Sequence, residues 1–191
     1  MKNLVRLLPV IGALLAIPAL GQKNTWTIDS VHTQATFQAR HLSITTIRGS
    51  ISNVTGTVEW DPNDPSRDSV VATLDVKTVN TANDYRDKTL KGEDFFNVSK
   101  YPRITFKSTS VRKSSSGYEV LGNLTISGVT RPVILETESP AAPQKGMEGE
   151  PVTGLSATTT IKRSDFNFGA KYSNNLLSDE VKITIDLELH Q

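Results

Sequence analysis

Val181, Ile183, Ile185, Leu187 and Leu189 alternate without a break with Lys182, Thr184, Asp186 and Glu188. Period two puts every apolar side chain on one face of a β-strand and every polar one on the other. A helix cannot make that separation. The pattern recurs along the chain. Ala35, Phe37 and Ala39 alternate with Gln34, Thr36, Gln38 and Arg40, and Ile104 and Phe106 with Thr105 and Lys107. Val70, Ala72, Leu74 and Val76 alternate with Val71, Thr73, Asp75 and Lys77. The chain is therefore expected to be all-β, each strand with one buried and one wet face. The frequent threonine and valine suit a pleated surface.

Turn signals separate these segments. Asp61-Pro62-Asn63-Asp64-Pro65 must break a strand, and Ser114-Ser115-Ser116-Gly117 and Ser127-Gly128-Val129-Thr130 read as hairpin tips. Pro140 to Pro151 reads as a long exposed loop. The spacing predicts about eight to ten strands in an antiparallel barrel or sandwich. One stretch, Asn83 to Phe96, does not alternate. It is expected to form a short helix or two helical turns broken near Gly92, with Tyr85, Leu90, Phe95 and Phe96 facing inward.

Met1 to Gly21 has the form of a secretory leader. Lys2 and Arg6 open it, Leu7 to Leu20 is apolar, and Ala19-Leu20-Gly21 is a plausible cleavage sequence. The apolar run is shorter than the roughly 20 residues a membrane span needs. Cleavage near Gly21/Gln22 leaves residues 22–191 as a single domain without a stable membrane insertion, and a periplasm is the expected home. Loss of Lys2 and Arg6 moves the formal charge from +1 to −1, which offers no basic footprint for nucleic acid. The absence of cysteine excludes disulfides, thiol nucleophiles and Cys-ligated metal sites.

Candidate chemistry is sparse. No G-x-S-x-G and no glycine-rich phosphate loop occurs, so no catalytic residue is named. Asp84, Asp87, Glu93 and Asp94 cluster near the helix, where a solvated face is the commoner role. The three histidines are His32, His41 and His190, and none falls in an HxH, HExxH or HxxxH spacing, so no metal site is expected. His41 continues the Ala35/Phe37/Ala39 parity and should point inward, while His190 is expected to fray at the terminus. Periodicity does not separate a packed core from a hollow barrel that holds one small ligand. On composition Phe37, Leu74, Phe106, Leu124 and Phe166 read more simply as core filling.

Taken in order, the segments resemble the YceI family, periplasmic lipocalin-like proteins also called polyisoprenoid-binding. The resemblance is carried by Trp26-Thr27-Ile28-Asp29-Ser30-Val31-His32-Thr33 and by Phe37-Gln38-Ala39-Arg40-His41-Leu42 with Ile47-Arg48-Gly49. Further along it rests on Arg86-Asp87, Leu90-Lys91 and Asp94-Phe95-Phe96, then on Tyr101-Pro102-Arg103-Ile104-Thr105-Phe106-Lys107-Ser108. Gly122 to Thr130 and Arg163-Ser164-Asp165-Phe166 complete it.

The resemblance implies an eight-stranded antiparallel lipocalin-like barrel with one short helical segment at its mouth. It also implies an apolar tunnel for an isoprenoid or lipid-like chain, lined by Phe37, Ile47, Leu74, Leu90, Phe95, Phe96, Phe106, Leu124 and Phe166. Head-group candidates are His32, His41 and Arg86, with Arg48 and Tyr85 behind them. Where the family's helix usually carries histidine this chain has Thr89, and where aspartate usually follows the phenylalanine pair it has Asn97. Both changes weigh against an anionic or metal-assisted head-group site and favour a looser or different ligand. The expected protein is a non-enzymatic carrier or store with no cofactor, and an apolar edge strand would allow a homodimer. The alternative is a structural or stress-related secreted barrel with a filled core and no ligand.

Overall fold

The computed structural model of the chain describes residues 24–61 and 63–191; the expected leader lies outside them. The first four strands are β1 (Asn24–Ile28), β2 (Gln34–His41), β3 (Thr45–Ile51) and β4 (Val54–Trp60). β5 (Ser69–Asp75) precedes the helix α1 (Asp84–Lys91). Then follow β6 (Arg103–Lys113), β7 (Gly117–Ile126), β8 (Val129–Glu138), the two-residue β9 (Gln144–Lys145), β10 (Pro151–Lys162) and β11 (Glu180–His190).

The sheet closes on itself. Antiparallel ladders run β11–β1–β4–β5–β6–β7–β8–β10 and return to β11, which makes an eight-stranded barrel. β2 continues the line of β1 along β11, and β3 continues that of β4. At the junction the five residues Asp29 to Thr33 stand opposite only Leu187 and Glu188, so they loop out of the ladder. Closure leaves the eight ring strands without a free edge. The segment expected as a loop from Pro140 to Pro151 is a loop except for β9, which pairs with the start of β10.

The alternating residues point as their parity requires, but the interior is not uniform. Trp26, Val111, Val120 and Leu189 pack with the partly buried Val58, Trp60, Tyr118 and Leu155 and fill one end of the barrel. The other end is lined but not filled. A filled core therefore describes only one half of this barrel. His190 is not frayed: it pairs with Thr27 on one side and Val152 on the other, because the end of β11 is flanked by β1 and β10 in the closed sheet.

α1 forms where the alternation stops. The Asn83 side chain accepts a hydrogen bond from Arg86 N and caps the helix. Asp84 and Asp87 in the first turn and Lys88 and Lys91 in the last suit the helix dipole. The helix ends at Gly92, and none of its residues is fully buried. Phe95 and Phe96, in the turns that follow, supply the buried contact.

Candidate ligand-binding site

The unfilled half of the barrel is a cavity of about 350 Å³, within the usual range for small-ligand sites. Its walls come from inward-facing positions of nearly every strand, such as Ala35, Ala72, Ile104 and Leu124, and from Val181, Ile183, Ile185 and Leu187 on β11. Each is an alternate residue of a strand whose other face meets solvent. The nine residues expected to line a ligand chain all border this one cavity: Phe37, Ile47, Leu74, Leu90, Phe95, Phe96, Phe106, Leu124 and Phe166.

Two segments cover this end. The turns after α1 bring Phe95 and Phe96 against the stretch that precedes β11. Phe95 stacks on Tyr172 at 5.2 Å, and Phe168 meets Phe96 edge-on at 4.6 Å. Ser127 Oγ donates to the carbonyls of Phe95 and Phe96, and Gly169 N donates to Asp94 O. His41 at the end of β2 bridges to Leu177, and Leu42 N donates to Leu176 O.

Arg163 organises the second segment. It is 3% exposed, and among the described residues it has no carboxylate partner at hydrogen-bond distance. Its guanidinium donates to the carbonyls of Phe168, Gly169, Tyr172, Leu177 and Ser178 and to Asn174 Oδ1, at 2.7–3.1 Å. Sequence reasoning did not select Arg163 as a site residue. The signal was present: it continues the inward series Ala157, Thr159 and Ile161 of β10, where an arginine needs internal acceptors.

The five head-group candidates do not come together. His41 and Arg86 border the cavity. Arg86 Nε and Nη2 donate to Oγ1 and O of Thr81 at 2.8 Å, and Thr81 in turn donates to Asp87 Oδ1. Arg86 thus anchors α1 and makes no ion pair with Asp87, while His41 has no side-chain partner among the described residues. Arg48 lies in a separate shallow cleft with Gln38, Ser50, Asn80 and Thr81. Tyr85 is 84% exposed, contrary to the inward orientation expected of it. Leu90 and Arg86, one turn apart, take the inward face of α1, and Tyr85 lies about 100° away from Arg86 around the helix.

His32 is also outside the cavity. It sits in the Asp29–Thr33 loop, and its Nδ1 lies 2.5 Å from Asp29 Oδ2 and 3.3 Å from Glu188 Oε1. The hydrogen bond with Asp29, then the Glu188 charge, raise the imidazole's pKa above its ordinary value. Asp29 is lowered, first by the hydrogen bond from Val31 N and then by His32. At the two positions where the family pattern changes, Thr89 borders the cavity but donates its hydroxyl back to Tyr85 O, and Asn97 adopts φ 47° in a turn.

The arrangement is a half-filled barrel whose apolar chamber has few polar groups. A YceI-like domain family model matches residues 26–189. The chain belongs to the YceI-like family. This YceI-like chain is 33% identical over 180 residues to a UPF0312 protein of Yersinia pestis (strain Pestoides F), covering 93% of this chain and 92% of that one. Among solved structures it is similar to the YCEI protein of Campylobacter jejuni, with 32% identity and a TM-score of 0.70 over 80% of this chain and 89% of that one. At 23% and 16% identity the fold alone is shared with Burkholderia cenocepacia BcnA and with a polyisoprenoid binding domain from Saccharophagus degradans. Their TM-scores are 0.75 and 0.63, over 84% and 86% of this chain and 98% and 97% of theirs. No helix among the described residues of this YceI-like chain is long and apolar enough to cross a membrane.

Proposed function

We propose that this YceI-like barrel binds one isoprenoid or lipid-like chain in its cavity, without catalysis, and carries or stores it in the periplasm after removal of the leader. The supporting observation is the lining: side chains from almost every strand present alkyl and aromatic groups to a single chamber of about 350 Å³. Burial of apolar ligand surface there is worth roughly 25 cal/mol per Å², about 0.8 kcal/mol per CH₂. That favours long unbranched or isoprenoid chains over polar solutes. It also gives weak discrimination between chains that differ by a methyl group. The fold shared with a polyisoprenoid binding domain supports the same ligand class.

His41 and Arg86 are the head-group contacts in this reading. Tyr85, His32 and Arg48 have no part in it, because none borders the chamber. A non-enzymatic role fits the polar groups available. Arg86 and Arg163 donate to neutral acceptors of the protein itself, and among the described residues no carboxylate stands within hydrogen-bond distance of His41 to form an acid–base pair.

Native mass spectrometry of protein purified gently from its own host, followed by organic extraction, tests the proposal. A bound mass that extracts as a polyprenyl, quinone or other lipid species supports it. A bare polypeptide mass, with no uptake of added isoprenoids or fatty acyl chains, overturns it and leaves the structural reading.

A further inference from the structure

At the filled end of the barrel, on its outer surface, the two histidines that the cavity does not use are brought together. Glu188 and His190 are two residues apart on β11, so both side chains leave the same face of the strand. The Asp29–Thr33 loop folds back over them. Asp29 N donates to Glu188 O, and Thr33 Oγ1 accepts from Glu188 N while Thr33 N donates to Asp29 O. The loop therefore holds Asp29 and His32 against β11. Asp29, Glu188 and His190 each offer one ligand atom within 4.8 Å of the others.

The distances suit a small cation. His190 Nε2 is 2.9 Å from Glu188 Oε1 and 3.7 Å from Asp29 Oδ2. His32 Nδ1 is 2.5 Å from Asp29 Oδ2 and 3.3 Å from Glu188 Oε1. Tetrahedral zinc with ligands at about 2.1 Å needs donor–donor edges of roughly 3.4 Å; the two His190 distances bracket that value, and His32 lies close enough to Asp29 and Glu188 to join them. The two shortest contacts are hydrogen bonds that a metal would open, by about 0.5 Å at His190–Glu188 and about 0.9 Å at His32–Asp29.

The surroundings fit as well. Asp29 Oδ1 accepts from Val31 N at 2.8 Å, which orients the carboxylate and leaves Oδ2 toward the cluster. Glu150 Oε1 lies 3.5 Å from His190 Nδ1, the position of the outer carboxylate in a carboxylate–histidine–metal arrangement. Charge points the same way. Asp29, Glu188 and Glu150 are paired with the two imidazoles and with no lysine or arginine among the described residues. With both imidazoles neutral the group carries three uncompensated negative charges.

We propose that Asp29, Glu188 and His190, joined by His32 as it turns from its hydrogen bond with Asp29, form a site for a borderline divalent transition ion of the zinc type, with Glu150 orienting His190. Two imidazoles among the donors favour zinc over calcium or magnesium. The bound ion would clamp the β1–β2 loop to the C-terminal strand.

The test is calorimetric titration of zinc into untagged, chelator-treated protein, with magnesium as the comparison. One zinc per chain at micromolar affinity or tighter is expected, with a raised melting temperature and no magnesium binding. Glu188→Gln and His190→Gln should each weaken zinc at least tenfold. Imidazole nitrogen spectra of the unsubstituted protein give a second readout that does not depend on how the variants fold. His32 and His190 should shift on zinc addition, and His41 should not. Absence of saturable zinc binding, binding that survives both substitutions undiminished, or zinc-induced shifts confined to His41 would overturn the site.

Discussion

Arg163 Nη1 donates a 2.8 Å hydrogen bond to the carbonyl of Gly169, six residues ahead of it, and so ties the end of β10, which Arg163 directly follows, to the cover of the cavity. The same guanidinium reaches five further acceptors between Phe168 and Ser178. The conformation of that segment depends on one side chain more than on any regular backbone ladder.

Arg163→Met should cost about 4 kcal/mol or more, because it strands several buried carbonyls at once. Denaturant unfolding measures the loss. Amide hydrogen exchange should rise first in residues 167–178 and leave β4–β8 protected. A uniform rise would show that Arg163 does not act on that segment in particular.

Ala39 borders the cavity on β2, cross-strand from Ile47. Ala39→Trp should put an indole into the chamber and lower affinity for an apolar fluorescent fatty-acid probe at least tenfold. Melting temperature should fall by only a few degrees, because the ring enters open space and not the packed end. Unchanged probe affinity would place the binding site elsewhere.

Gly49 lies opposite Phe37, and a Cβ there would come 2.3 Å from Phe37 Cζ and 2.8 Å from Thr81 Cγ2. Gly49→Ala must therefore displace the Phe37 ring. A destabilisation of about 1–3 kcal/mol is expected from this overpacking. Gly49→Ala combined with Phe37→Leu should recover part of it, measured as non-additivity in a double-mutant cycle.

The Asp179 carboxylate is opposed by burial, but hydrogen bonds from Ser164 Oγ and N, with Arg163 and Lys162 nearby, outweigh it and hold its pKa below 3.8. Its folded-state pKa is lowered, so its contribution is complete above the ordinary aspartate value. It fades as pH falls through the folded value. The stability difference between the parent protein and Asp179→Asn should be constant at neutral pH and shrink below about pH 4, followed by chemical denaturation across acid pH.

Parity was legible in the sequence because it is local: Val181 to Leu189 assigns its own faces without any partner. Periodicity alone placed Phe37, Leu74, Phe106 and Leu124 on inward faces but read them as core filling; that they line a chamber, with Leu90 on α1 and Phe166 after β10, came from the family resemblance. Which half of the barrel is filled was not legible. That depends on how far Trp26 and Trp60 stand from Phe37 along the barrel axis, which only the cross-strand register fixes. Tyr85 was misplaced because an eight-residue polar helix carries too few apolar positions to set its phase, and Leu90 alone does not choose between neighbouring faces. His32 and His190 read as unrelated because they lie near opposite ends of the chain and meet only when β11 closes the sheet.

A barrel packed at one end and open inside at the other has a large difference in internal void along its length. Hydrostatic pressure favours states that eliminate such voids. The chamber end should therefore yield to pressure well before the tryptophan-filled end. An apolar occupant would remove that weakness without adding a single bond to the sheet, so cargo and mechanical resilience are coupled through volume alone.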